Sequence, residues 1–139
     1  MTDEELVSKR LAFIETCLRE LRQFARPGDL ADDVRERRFV EHTLQLAIQA
    51  ALDVASHIVS DERLGEPATN RELFDLLEQA DWVGAGLSDR LSNMAGFRNI
   101  LVHGYADVDL GIVRDVVANH LGDLDAFVAA VRARLGDAL

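Results

Sequence analysis

Arg98 and His103 stand five residues apart in the segment Phe97-Arg98-Asn99-Ile100-Leu101-Val102-His103-Gly104-Tyr105. An imidazole, with an ordinary pKa of about 6.5, accepts and donates protons near neutral pH, and a guanidinium holds oxyanions through charge and paired hydrogen bonds. Together they suit proton transfer at a centre that builds negative charge on oxygen. At about 100° per residue, Leu87, Leu91, Met94, Ala95, Leu101 and Val102 form one arc of a helix, and Arg98 falls in its middle where a leucine would pack. Burying an unpaired charge is costly, so Arg98 meets a carboxylate, reaches along its stem to water, or lines a pocket open to an anion.

On an ideal helix His103 lies roughly 140° round from Arg98, too far to share one straight face. Two devices would bring the pair together. One is helix termination at Gly104, read as a residue that turns left-handed after the last turn. The other is a two-fold homodimer that carries His103 of one copy toward Arg98 of a second. A histidine in a last turn also serves as a cation at the carbonyl end of the helix, and position leaves both roles open.

The surrounding chain reads as helices throughout. Val7, Leu11, Ile14, Leu18 and Leu21 recur in steps of four and three, a stripe that Arg26-Pro27-Gly28-Asp29 stops. A second helix is expected from about Asp32 to Ser60, with Val40, Leu44, Ala47, Ala51, Val54 and Ile58 in the same steps and Gly65 and Pro67 beyond it. Thr69 or Asn70 caps a short third helix that packs through Leu73, Phe74, Leu76, Leu77 and Ala80. Ser88 is expected to cap a fourth, which ends at Gly104. A fifth is expected from near Asp109, carrying Val113, Val117, Leu121, Leu124, Val128, Val131 and Leu135. No stretch alternates with period two. The expected fold is an all-α antiparallel bundle of four to five helices, one domain over residues 1–139.

With 48% apolar and 29% charged residues, the chain has the composition of a folded domain rather than a disordered one. A formal net charge of -10 opposes general nucleic-acid binding, so any activity on nucleic acid needs a local basic pocket. Lys9 is the one lysine. The arginine clusters Arg19, Arg22, Arg26 and Arg35, Arg37, Arg38 read as salt-bridged, solvated helix faces. The single cysteine, Cys17, falls among core positions and is expected to be a buried thiol. No run approaches the roughly 20 apolar residues of a membrane span, and the acidic start Thr2-Asp3-Glu4-Glu5 lacks a secretory signal's basic region, so a cytoplasmic protein is expected.

The order Arg, Asn, three apolar residues, His, one residue, Tyr resembles the signature of HEPN domains, specifically the HepT-like toxin branch. The resemblance extends to helix order, to Phe39-Val40 followed by Leu44-Gln45 and Ala47 on the second helix, and to Val108-Asp109 opening the last. It implies the toxin of a type VII toxin–antitoxin system, a metal-independent endoribonuclease that needs no cofactor and cleaves RNA, mRNA or tRNA, at a homodimer cleft. By resemblance Arg98 and His103 are catalytic and Asn99 is the supporting polar residue. Tyr105, the only tyrosine, matches the residue to which a minimal, MntA-like nucleotidyltransferase antitoxin attaches AMP. Gly104 departs from the family pattern, in which a bulkier polar residue is common.

RNA carries its own nucleophile in the 2′-hydroxyl, so proton transfer by His103 and charge stabilisation by Arg98 would suffice. Two other readings compete. One is a noncatalytic HEPN-like module that binds a nucleotidyltransferase or a nucleotide, against which Arg98 and His103 weigh. The other is a helical metalloprotein, suggested by Asp53 and His57 one turn apart on the second helix. It lacks the Glu-x-x-His pairs of di-iron bundles, and His42 and His120 have no ligand-spaced partners.

Overall fold

The structure is a computed structural model that describes residues 2–104 and 108–137. Its helices are α1 (Glu4–Phe24), α2 (Val34–Asp61), α3 (Asn70–Gln79), α4 (Ala85–His103), α5 (Leu110–Asn119) and α6 (Leu121–Asp137), with one 3-10 turn at Pro27–Asp29. There is no strand among the described residues. The expected all-α bundle is what the chain forms, with one more helix than the sequence suggested.

Short polar side chains start most of the helices. Asp3 accepts from Leu6 N, Asp33 from Arg35 N and Glu36 N, Thr69 from Glu72 N, and Asp109 from Gly111 N. Glu72 reaches back to Ala68 N at 2.6 Å, tying the start of α3 at a second point. The apolar stripes then meet in one core. Every stripe residue named for the first two helices is buried, and Phe74 of α3 meets Phe127 of α6 edge to face at 5.9 Å between ring centres.

Polar contacts show how the helices run. Thr2 donates to Glu62 at 2.9 Å, so α1 starts where α2 ends. Glu15 pairs with Arg132 and Arg22 with Asp125, so the later residue of α1 meets the earlier residue of α6 and the two are antiparallel.

Three expectations need correction. Ser88 does not cap α4: the helix starts at Ala85 with Gly84 as its uncapped first boundary, and Ser88 is fully buried one turn inside. The single fifth helix is two, divided at His120. Its ring lies 3.0 Å from Asp115 and 3.3 Å from Asp123, while Arg90 of α4 donates to Asp123 at 2.8 Å. Gly104 ends α4 with φ -82° and ψ -21°, in the right-handed region. Glycine is needed there for space: a Cβ would come within 2.5 Å of the Ile100 carbonyl oxygen, to which Gly104 N donates at 2.7 Å. No helix among the described residues is long and apolar enough to cross a membrane.

Candidate active site

α4 carries the site. Leu91, Met94, Ala95 and Phe97 are buried and hold it on the core, whereas Asn99, Ile100 and His103 form an exposed arc. Arg98 lies at the boundary, flanked on the helical wheel by the half-buried Leu101 and Val102. Phe97 is therefore core, while Ile100 is 46% exposed.

Of the three fates open to Arg98, pairing with a carboxylate is not the one adopted among the described residues. Nη1 donates to Asn99 Oδ1 at 3.3 Å, and the Nε atom is buried without a hydrogen-bond partner among the described residues. The contact with Asn99 leaves the guanidinium charge without a carboxylate among the described residues. His103 is the last residue of α4, exposed, and its ring makes no hydrogen bond among the described residues.

α4 stays helical through His103, so termination at Gly104 does not swing the imidazole toward the guanidinium. Within one chain the two are about 7.5 Å apart along the axis and about 140° apart around it. Both groups are placed at one helix end, but a single copy does not make them converge. Tyr105, the expected modification site, lies outside the described residues.

Beside this end of α4 runs an open groove of about 470 Å³, bounded by Arg38, Phe39, His42 and Gln45 of α2 and by Leu101. Sequence reasoning missed these residues as a group. The signal was present in Arg38, His42 and Gln45, which follow one another in steps of four and three along one side of α2. The cluster Arg35, Arg37 and Arg38 is not the salt-bridged face expected of it, since none of the three forms an ion pair among the described residues. The first cluster fits better, with Arg22 on Asp125.

The residues behind the metal reading are otherwise engaged. Asp53 accepts from Gln49 at 2.8 Å, and His57 Nε2 lies 2.9 Å from Asp61 at an ion-pair distance without hydrogen-bond alignment. Asp53 and His57 line a separate small cavity with Arg10 of α1. At the α5–α6 break, hydrogen bonds from Asn119 and His120 hold the Asp115 carboxyl below its ordinary range.

Comparison with known proteins gives a consistent relationship. The ribonuclease HepT-like family matches residues 14–131. The mRNA nuclease HepT of Shewanella oneidensis is 34% identical over 130 residues, covering 93% of this chain and 98% of that protein. The tRNA nuclease HepT of Aphanizomenon flos-aquae is 29% identical over 132 residues, covering 94% and 90%. The tri-AMPylated Shewanella oneidensis HEPN toxin, solved in complex with MNT antitoxin, superposes with a TM-score of 0.86 at 34% identity, covering 96% of this chain and 99% of that one. Matched over most of its length in sequence and in fold, the chain belongs to the HepT-like ribonuclease family of HEPN proteins.

Proposed function

We propose that this chain is the toxin of a toxin–antitoxin pair, a metal-independent endoribonuclease whose Arg98 and His103 cleave RNA in a cleft closed by two copies of the chain. The observation that carries the reading is a half-buried guanidinium with no carboxylate on it among the described residues, five positions before an exposed imidazole, at one end of a family-matched helix. Because the two groups point apart within one copy, a two-fold partner packed against the exposed arc around Ile100 is the natural way to close the site.

In such a cleft the 2′-hydroxyl attacks the adjacent phosphorus, its proton passes to one imidazole, and the bond to the 5′-oxygen breaks as that oxygen takes a proton. The products are a 2′,3′-cyclic phosphate and a free 5′-hydroxyl. Two copies supply two imidazoles, one to accept and one to donate. Arg98 holds the non-bridging oxygens as charge grows on them, and Asn99 aims it.

The substrate is an mRNA or a tRNA in the cytoplasm, as the two nuclease relatives are named for each. Silencing follows from Tyr105, two residues beyond His103. AMP attached there by a nucleotidyltransferase antitoxin would fill the cleft and repel the RNA backbone by like charge. The AMPylated relative in complex with its antitoxin supports this reading.

The test is cleavage of a labelled RNA by the purified chain in EDTA. His103→Ala should lower the rate by about 10²-fold or more. Added antitoxin and ATP should stop the wild type and spare Tyr105→Phe, which keeps its cleavage. Equal cleavage by wild type and His103→Ala would sink the catalytic assignment.

A further inference from the structure

Arg98 and His103 account for the reacting phosphate but not for the groove that opens beside it. We propose that the groove between the first half of α2 and the last turn of α4 seats the RNA next to the scissile phosphodiester, with Arg38 on a neighbouring backbone phosphate and Phe39 and Leu101 as an apolar wall for one base. The proposal rests on the reading of Arg98 and His103 as the cleavage site.

Position is the first support. Leu101, which lines the groove, lies three residues after Arg98 on α4, a spacing that puts their Cβ atoms about 5–6 Å apart, so the groove lies within one helical turn of Arg98. Charge is the second. In a chain of net charge -10, many arginines are already committed: Arg22, Arg90 and Arg132 to carboxylates, Arg114 to the Pro27 carbonyl at 3.1 Å, and Arg134 to the face of Trp82 at 5.4 Å. Arg38 is exposed and makes no hydrogen bond or ion pair among the described residues, with Arg35 and Arg37 beside it likewise unpaired. Arg38 feels the Glu41 carboxyl but is not bridged to it, and an unbridged guanidinium in an acidic protein is where a phosphate can bind.

Shape and chemistry are the third support. Single-stranded RNA is held by stacking its bases on flat apolar surfaces and by hydrogen bonds to base edges, along a cationic track for the backbone. The half-buried Phe39 and Leu101 provide the surface, and the exposed His42 with the half-buried Gln45 provides groups able to meet a base edge. Glu41 is the opposing feature. Burial raises its carboxyl above the ordinary range while Arg37 and Arg38 pull it down, and where ionised it repels a phosphate. The groove thus predicts effects of opposite sign from two side chains one turn apart.

The experiment measures binding of a 2′-O-methylated oligoribonucleotide, which lacks the attacking hydroxyl, to the full chain and its variants. Arg38→Ala should weaken binding by about fivefold or more and lower the salt slope by about one, while Glu41→Gln should tighten it. Arg10→Ala removes the same charge from α1, away from the groove, and should stay within about twofold of wild type. Absence of binding by the wild type, or equal effects of Arg38→Ala and Arg10→Ala, overturns the proposal. A change of oligomeric size in Arg38→Ala also overturns it, by marking the groove as an interface between copies. If the expected pattern appears in a chain that does not cleave RNA, the cleavage reading fails and the groove stands. Cleavage without the pattern has the reverse meaning.

Discussion

Arg98 occupies a site that folding alone would give to an apolar residue. Its Nε is buried without an acceptor among the described residues, and such an unmet donor destabilises by about 1–3 kcal/mol. Destabilised polar groups of this kind persist where they are held ready for a ligand. Arg98→Met keeps an unbranched apolar stem as far as the Nε position and removes the unmet donor together with the charged head. It should raise the stability read from urea denaturation by about 1 kcal/mol while abolishing RNA cleavage. A loss of stability together with activity would instead make Arg98 a structural residue. The oddity of this arginine was legible from helical phase, because one cation among Leu91, Met94, Ala95 and Leu101 breaks the pattern. Its freedom from carboxylates among the described residues was not legible: with 25 acidic residues in the chain, only tertiary placement decides which guanidinium is paired.

At the level of elements, periodicity located the helices well, since an apolar stripe that must be buried leaves few alternatives. It failed where a break conserves phase. The steps of four and three from Val113 to Leu135 run unbroken across His120, so the division into α5 and α6 leaves no mark on them. At the division His120 lies between Asp115 and Asp123, a contact of side chains that no change of pattern announces. Gly104 shows a second ambiguity, because glycine serves left-handed turns and close approaches alike. Here it is the close approach. Gly104→Ala would drive a Cβ to 2.5 Å from the Ile100 oxygen, so the last turn of α4 must open and carry His103 with it. Overpacking of this kind costs about 1–3 kcal/mol, and cleavage should fall at least about tenfold in a chain that remains folded by circular dichroism. Wild-type cleavage by the variant would show that the shape of this turn is irrelevant to the site.

For the molecule as a whole, closure of the bundle depends on α1 meeting α6, and polar contacts fix the register of that meeting. Arg132 grips Glu15 with two nitrogens, at 2.9 Å and 2.6 Å, while Arg22 reaches Asp125. The hydrogen bond from Arg132 is the largest influence on Glu15 and holds its carboxyl below the ordinary range, outweighing partial desolvation. A carboxyl whose pKa is depressed by folding stabilises the native state above its unfolded pKa, and that contribution disappears as pH falls through the folded value. The pair is open to solvent, with side chains 47% and 42% exposed, so its worth is about 0.2–1 kcal/mol despite the two-pronged geometry. Glu15→Gln should therefore lower the melting temperature by no more than about 5 °C at neutral pH. The difference from wild type should shrink in about 1 M salt and vanish once the pH lies well below the ordinary carboxylate range, where both chains carry an uncharged group at this position. Melting curves of the two proteins across pH measure this directly. A deficit in Glu15→Gln that survives in acid would mean that the side chain holds α1 to α6 by packing, and that charge has no part in the register.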